Sequence, residues 1–145
     1  MGHFMIFLIT LWLVVFASAS MYFAVATASP NLGVAMAIAP LINVLFVLGS
    51  GFWVTPDKLP GAWKWLYYIS FYRFSWANAM RNEFNGLTFT CTSETNCIRT
   101  GEEALKHYQV SELTTMENYM VLLSIAIICR IFAFILLLFM YRDKR

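Results

Sequence analysis

Few side chains in this sequence are of a kind that does chemistry, and their spacing leaves them little to do. His3 and His107 stand far apart, and Cys91, Cys97 and Cys129 include no Cys-x-x-Cys pair. No nucleophile–base arrangement, no carboxylates paired for acid–base work and no metal-ligand spacing is present, so an enzyme hypothesis has no residues to stand on. None of the seven glycines opens a Gly-x4-Gly-Lys-Ser/Thr loop, the element whose backbone amides and lysine hold phosphates. What remains is polar groups in unusual places. Arg130 and Asn43 each lie inside an apolar run, Cys91 and Cys97 lie in a polar stretch, and Glu83 sits among Arg73 and Arg81. Their value lies in where the elements hold them, not in bond-making.

The elements are dictated by composition. The 145 residues are 60% hydrophobic and only 12% charged, about half the charged share of a soluble domain. Three apolar stretches stand out: Phe4 to Ala28 and Leu32 to Val54, both uncharged, and Tyr119 to Tyr141, which holds Arg130. A bilayer core about 30 Å thick needs about 20 helical residues, and backbone groups in lipid must be satisfied within the segment. Each stretch reads as a membrane helix, with bounds of about 4–28, 32–54 and 119–141. Ser29-Pro30-Asn31 between the first two forces an antiparallel hairpin. The net charge of +2 is too small to imply a nucleic-acid partner, and the Arg142, Lys144, Arg145 cluster is the size of a membrane-flanking anchor. That cluster places the C-terminus in the cytosol. The segment 55–117 and the N-terminus then lie outside. The start has no basic leader region and its apolar run is too long for a signal peptide. A chain entering a helix so soon after an outward-facing Met1-Gly2-His3 reads as a piece of a longer protein.

The outer segment is not uniform. After the turn residues Thr55 to Gly61 comes an aromatic-dense stretch from Trp63 to Phe84, interleaved with Lys64, Arg73, Arg81 and Glu83. It is too polar to span, and Trp and Tyr favour the headgroup level. Short re-entrant or interfacial helices are expected there; an ordinary folded loop with an aromatic core is the alternative. Glu83 reads as a solvated charge paired with Arg73 or Arg81. A short helix from Gly101 to Tyr108 is expected, with Glu102 and Glu103 in the first turn, where the helix dipole favours them.

Two motifs in this segment carry a resemblance. Leu66-Tyr67-Tyr68-Ile69-Ser70-Phe71-Tyr72-Arg73-Phe74 leads into Asn82-Glu83-Phe84-Asn85-Gly86, and Thr100-Gly101-Glu102-Glu103-Ala104-Leu105 follows the two cysteines. In this order and spacing they resemble the C-terminal half of the membrane domain of G-subfamily ABC transporters, the White/breast-cancer-resistance type. The resemblance implies that the three helices are the last three of six, and that ATP and magnesium are bound by a nucleotide-binding domain elsewhere. It implies a homo- or heterodimer of half-transporters, a lipophilic substrate and plasma-membrane residence. It also implies an intrachain Cys91–Cys97 disulfide, free or intermolecular thiols being the alternatives. The second helix would line the substrate path with Asn43, Val44 and Val47. Phe52-Trp53, after Ser50-Gly51, stand where the family has a bulky outer gate, although better-known members carry leucines there. Trp53 could equally be an interfacial anchor.

Arg130 falls near mid-bilayer, where arginine costs about 2.5–3.5 kcal/mol on insertion scales. It reads either as a tie to a neighbouring helix or carbonyl, or as a gating or substrate-contact charge. Cys129 reads as an inert packing residue. The sequence thus describes an all-α integral membrane protein with three transmembrane helices and a large outer loop, and the resemblance implies that it is part of an exporter of lipophilic compounds or lipids. The competing reading is a self-standing three-helix protein that modulates a partner transporter.

Overall fold

The computed structural model describes residues 2–53, 58, 60–90, 98–110 and 112–143. Six α-helices occur among them: α1 (Gly2–Ala28), α2 (Leu32–Leu48), α3 (Lys64–Ile69, after a 3-10 turn over Gly61–Trp63), α4 (Phe71–Phe84), α5 (Gly101–His107) and α6 (Thr115–Asp143). No strand occurs among the described residues, only a single antiparallel bridge between Thr88 and Thr100. The 27 residues of α1 and 29 of α6 give rods of about 40 Å, long enough to cross a bilayer. Only 28% of the apolar stretch of α1 and 17% of that of α6 is buried. A helix at the core of a soluble protein would bury most of its apolar side chains; these present theirs outward, as lipid-facing helices do.

The second helix is shorter than expected. α2 ends at Leu48 rather than 54, and its 17 residues span about 25 Å. Gly49 caps it, its N–H bonding the Leu45 carbonyl at 3.0 Å. Gly51 then takes φ +83°, a left-handed conformation open to glycine. The bend lets the chain fold back closely: a Cβ on Gly49 would lie 2.7 Å from Leu66 Cγ. Among the described residues, α1 and α6 are long and apolar enough to cross a membrane, and α2 is a shorter apolar helix. At its other end α2 is capped by Asn31, whose Oδ1 accepts the Val34 N–H at 2.9 Å.

The last helix begins earlier than expected, at Thr115 rather than 119. Thr114 and Glu117 form a reciprocal capping box. The Thr114 N–H donates to Glu117 Oε2 at 2.7 Å, and the Glu117 N–H donates to Thr114 Oγ1 at 3.4 Å.

α1 and α6 pack along each other, and α4 packs against both. Leu13, Ala17 and Met21 of α1, Phe71 and Phe74 of α4, and Leu122 and Ala126 of α6 form the buried core. Ala17 and Ala126 are wholly buried, and such small residues let helices approach closely. A buried amide pair fixes the register of α4 on α6: Asn118 Nδ2 donates to Asn78 Oδ1 at 2.8 Å.

The two sequence motifs meet at the far end of α4. Phe84-Asn85-Gly86-Leu87 is a type II turn, with Asn85 at φ −63°, ψ 122°, Gly86 at φ +78° and the Leu87 N–H on the Phe84 carbonyl at 3.2 Å. Gly101 lies directly on that carbonyl, where a Cβ would come within 1.7 Å of the oxygen. Its N–H donates to the Leu87 carbonyl at 2.8 Å. Thr100 caps α5 by accepting the Glu103 N–H, and the Glu103 carboxylate accepts the Arg99 N–H at 2.8 Å.

Candidate functional site

α1, the end of α2 and α4 line an open, apolar cavity of about 330 Å³. α1 contributes Phe7, Thr10, Leu11 and Val14; the α2 terminus contributes Val47, Ser50 and Phe52. Tyr72, Ser75, Trp76 and Ala79 come from α4. These last four recur at the i, i+3, i+4, i+7 spacing that puts side chains on one helix face. The hydroxyls on the wall are largely turned to local acceptors. Thr10 donates to the Ile6 carbonyl at 2.7 Å, Ser50 to the Val47 carbonyl at 2.6 Å and Ser75 to the Tyr72 carbonyl at 3.1 Å. The result is a predominantly apolar chamber with muted polar points, chemistry suited to a lipophilic molecule.

Phe52 stands at one edge of this chamber. Its ring lies 4.6 Å from that of Trp76 at 75° and 5.2 Å from that of Trp53 at 85°, both edge-to-face arrangements that aromatic quadrupoles favour. The Trp76 Nε1 is buried with no acceptor among the described residues. Trp53 is 66% exposed and Phe52 50%; only Phe52 borders the cavity.

The remaining anticipated residues divide. Val47 lines the cavity, whereas Val44 points outward and is 56% exposed. Asn43 lies beside Tyr72, whose hydroxyl donates to its Oδ1 at 2.9 Å. Ser70 adds a second tie to α2, donating to the Phe46 carbonyl at 2.7 Å. Cys91 and Cys97 lie outside the described residues. Cys129 is half-buried against the core. Arg130 is exposed on the seam of α1 and α6; its Nε donates to Ser20 Oγ at 3.1 Å and its guanidinium carbon lies 4.3 Å from the centre of the Phe16 ring.

Glu83 pairs with neither Arg73 nor Arg81. Residues two apart on a helix do not face each other, and ten residues separate Arg73 from Glu83 by about 15 Å along α4. Arg73 instead bonds Glu112 at 2.6 Å and stacks on Tyr67, 4.1 Å from the ring centre. Arg81 donates to the Val110 carbonyl at 3.0 Å. Burial pushes the Tyr67 phenol above its usual range, against the opposing pull of Arg73. Trp76 and the α1 residues were not anticipated. The α4 face was readable from its spacing, but nothing in sequence shows which face meets α1.

Residues 1–84, more than half of the chain, match the family described as ABC-2 type transporter. The chain belongs to that family. Among its relatives, ABC transporter G family member 23 of Arabidopsis thaliana is 27% identical over 93% of this chain and 22% of its own length. ABC transporter G family member STR2 of Petunia hybrida is 31% identical over 99% of this chain and 20% of its own. A shorter stretch, 47% of this chain and 9% of the relative, is 43% identical to ABC transporter G family member 1 of Dictyostelium discoideum. The ABC-2 type membrane domain here is thus of the G-family kind, and the chain spans about a fifth of the two relatives it matches over most of its length. The ABC-2 match covers α1 to α4 and every residue lining the cavity.

Proposed function

We propose that these residues form the C-terminal part of the membrane domain of a G-family, ATP-driven exporter of lipophilic compounds or lipids. ATP and magnesium are bound by a nucleotide-binding domain elsewhere in the transporter, which works as a homo- or heterodimer. α2 contributes Asn43, Val44 and Val47 to the substrate path, and Phe52 with Trp53 form its outer gate. The segment 55–117 faces the outside, braced by a Cys91–Cys97 disulfide, and the C-terminus is cytosolic.

The observation that carries this reading is the apolar cavity bordered by Phe52 and Trp76 in edge-to-face contact. An open apolar cavity edged by aromatic rings offers a lipophile a surface that water and ions do not favour, which suits an export path. The test is alanine at both Phe52 and Trp53 in the complete transporter, reconstituted in liposomes. Basal ATPase activity or passive leak should rise. Unchanged ATPase and transport would instead make the pair an interfacial anchor and remove the gate.

A further inference from the structure

Arg130 is the midpoint residue of α6 within one position, since the helix runs Thr115–Asp143. Of its five N–H donors, one reaches Ser20 Oγ. The guanidinium rests over Phe16, one helical turn before Ser20 on α1. Ser20 and Phe16 thus hold the side chain from one side, while the other four N–H groups find no acceptor among the described residues. The ion pair Arg73–Glu112 is the only one among those residues.

Among the described residues no carboxylate bonds Arg130. The eight acidic residues are Asp57, Glu83, Glu94, Glu102, Glu103, Glu112, Glu117 and Asp143, none of them within an apolar run. The two on α6, Glu117 and Asp143, each lie thirteen residues from Arg130, about 20 Å along the axis. Phosphates are also out of reach, because half the hydrocarbon core is about 15 Å and the side chain is turned sideways onto Ser20. Water is not favoured either. Ile127, Ile131 and Phe134, beside Arg130 on α6, are exposed apolar side chains. An unpaired cation in such surroundings is strongly disfavoured, whereas a close opposite charge there interacts strongly.

We infer that Arg130 is one half of an intramembrane ion pair whose carboxylate, an Asp or Glu, is carried by a membrane helix outside residues 1–145. That helix docks on the α1–α6 seam, apolar around a single charged contact. An anionic substrate is the weaker occupant, because it would leave the charge unmatched whenever the path is empty. The inference rests on α6 crossing the bilayer and not on what is exported.

The experiment uses the complete, substrate-free transporter in detergent. Arg130→Leu should lower Tm, because it strands a buried carboxylate, and Arg130→Glu should lower it further through like-charge repulsion. Second-site suppressors of Arg130→Glu, selected for restored surface expression, should fall at an Asp or Glu in a membrane span outside residues 1–145, changed to Lys, Arg or an amide. An unchanged Tm for Arg130→Leu overturns the inference; if transport of an anionic fluorescent lipophile then falls selectively, Arg130 is a substrate contact. Suppressors confined to residues 1–145, or none at all, overturn it as well. Failure here leaves the exporter reading intact, since ATPase activity and transport of neutral lipophiles judge that separately.

Discussion

At the scale of single residues, the informative positions are those where the smallest side chain is demanded. Gly101 opens α5 against the Phe84 carbonyl, and a methyl group there would sit 1.7 Å from its oxygen. The obstacle is backbone in a tight turn and cannot swing aside. Gly101→Ala should therefore cost at least the about 1–3 kcal/mol of an overpacked site, read as lower Tm and lower surface expression, whereas Gly61→Ala, with nothing within 4 Å, should leave both unchanged. The proposed Cys91–Cys97 bridge is likewise a residue-scale matter. Non-reducing mass spectrometry of surface-expressed protein should find the peptides bearing the two cysteines joined; two free thiols there would remove the bridge.

At the scale of elements, capping sets where helices start and glycine sets where one stops. The Thr114–Glu117 box begins α6 four residues before the apolar run does. Thr114→Ala should lose about 1 kcal/mol, measured by thermal unfolding in detergent; an unchanged midpoint would show that packing of α4 on α6 alone sets the helix start. The box was legible in Thr114-x-x-Glu117, but a reading by hydropathy passes over a polar first turn. α2 shows the converse. Its apolar run continues to Val54, yet Gly49 and Gly51 end the helix because the chain must bend closely over Leu66 and Tyr67. Hydropathy reports what an element may touch and not its backbone path.

At the scale of the whole molecule, the long helices α1 and α6 pack along each other, and α4, from the polar middle of the chain, packs against both. In the proposed orientation, that middle segment faces outside. A cysteine placed at Lys106, in a background lacking Cys91, Cys97 and Cys129, should react with a membrane-impermeant maleimide on intact cells. An epitope after Arg145 should be stained only after permeabilisation. The reverse pattern would invert the topology and with it the outer-gate assignment.

Sequence by itself determined the membrane setting, the two long helices, the α5 start and the family, because these depend on apolar run length, local capping and motif order. It did not determine the cavity, the partner of Arg73 or what Arg130 touches. Those depend on which faces of separate helices meet, and side chains distant in sequence settle that only by packing. The residues met first as candidates for chemistry show the division. Arg130 was conspicuous as a charge in an apolar run, but only the fold shows that Ser20 takes one of its five donors and that its guanidinium rests over Phe16.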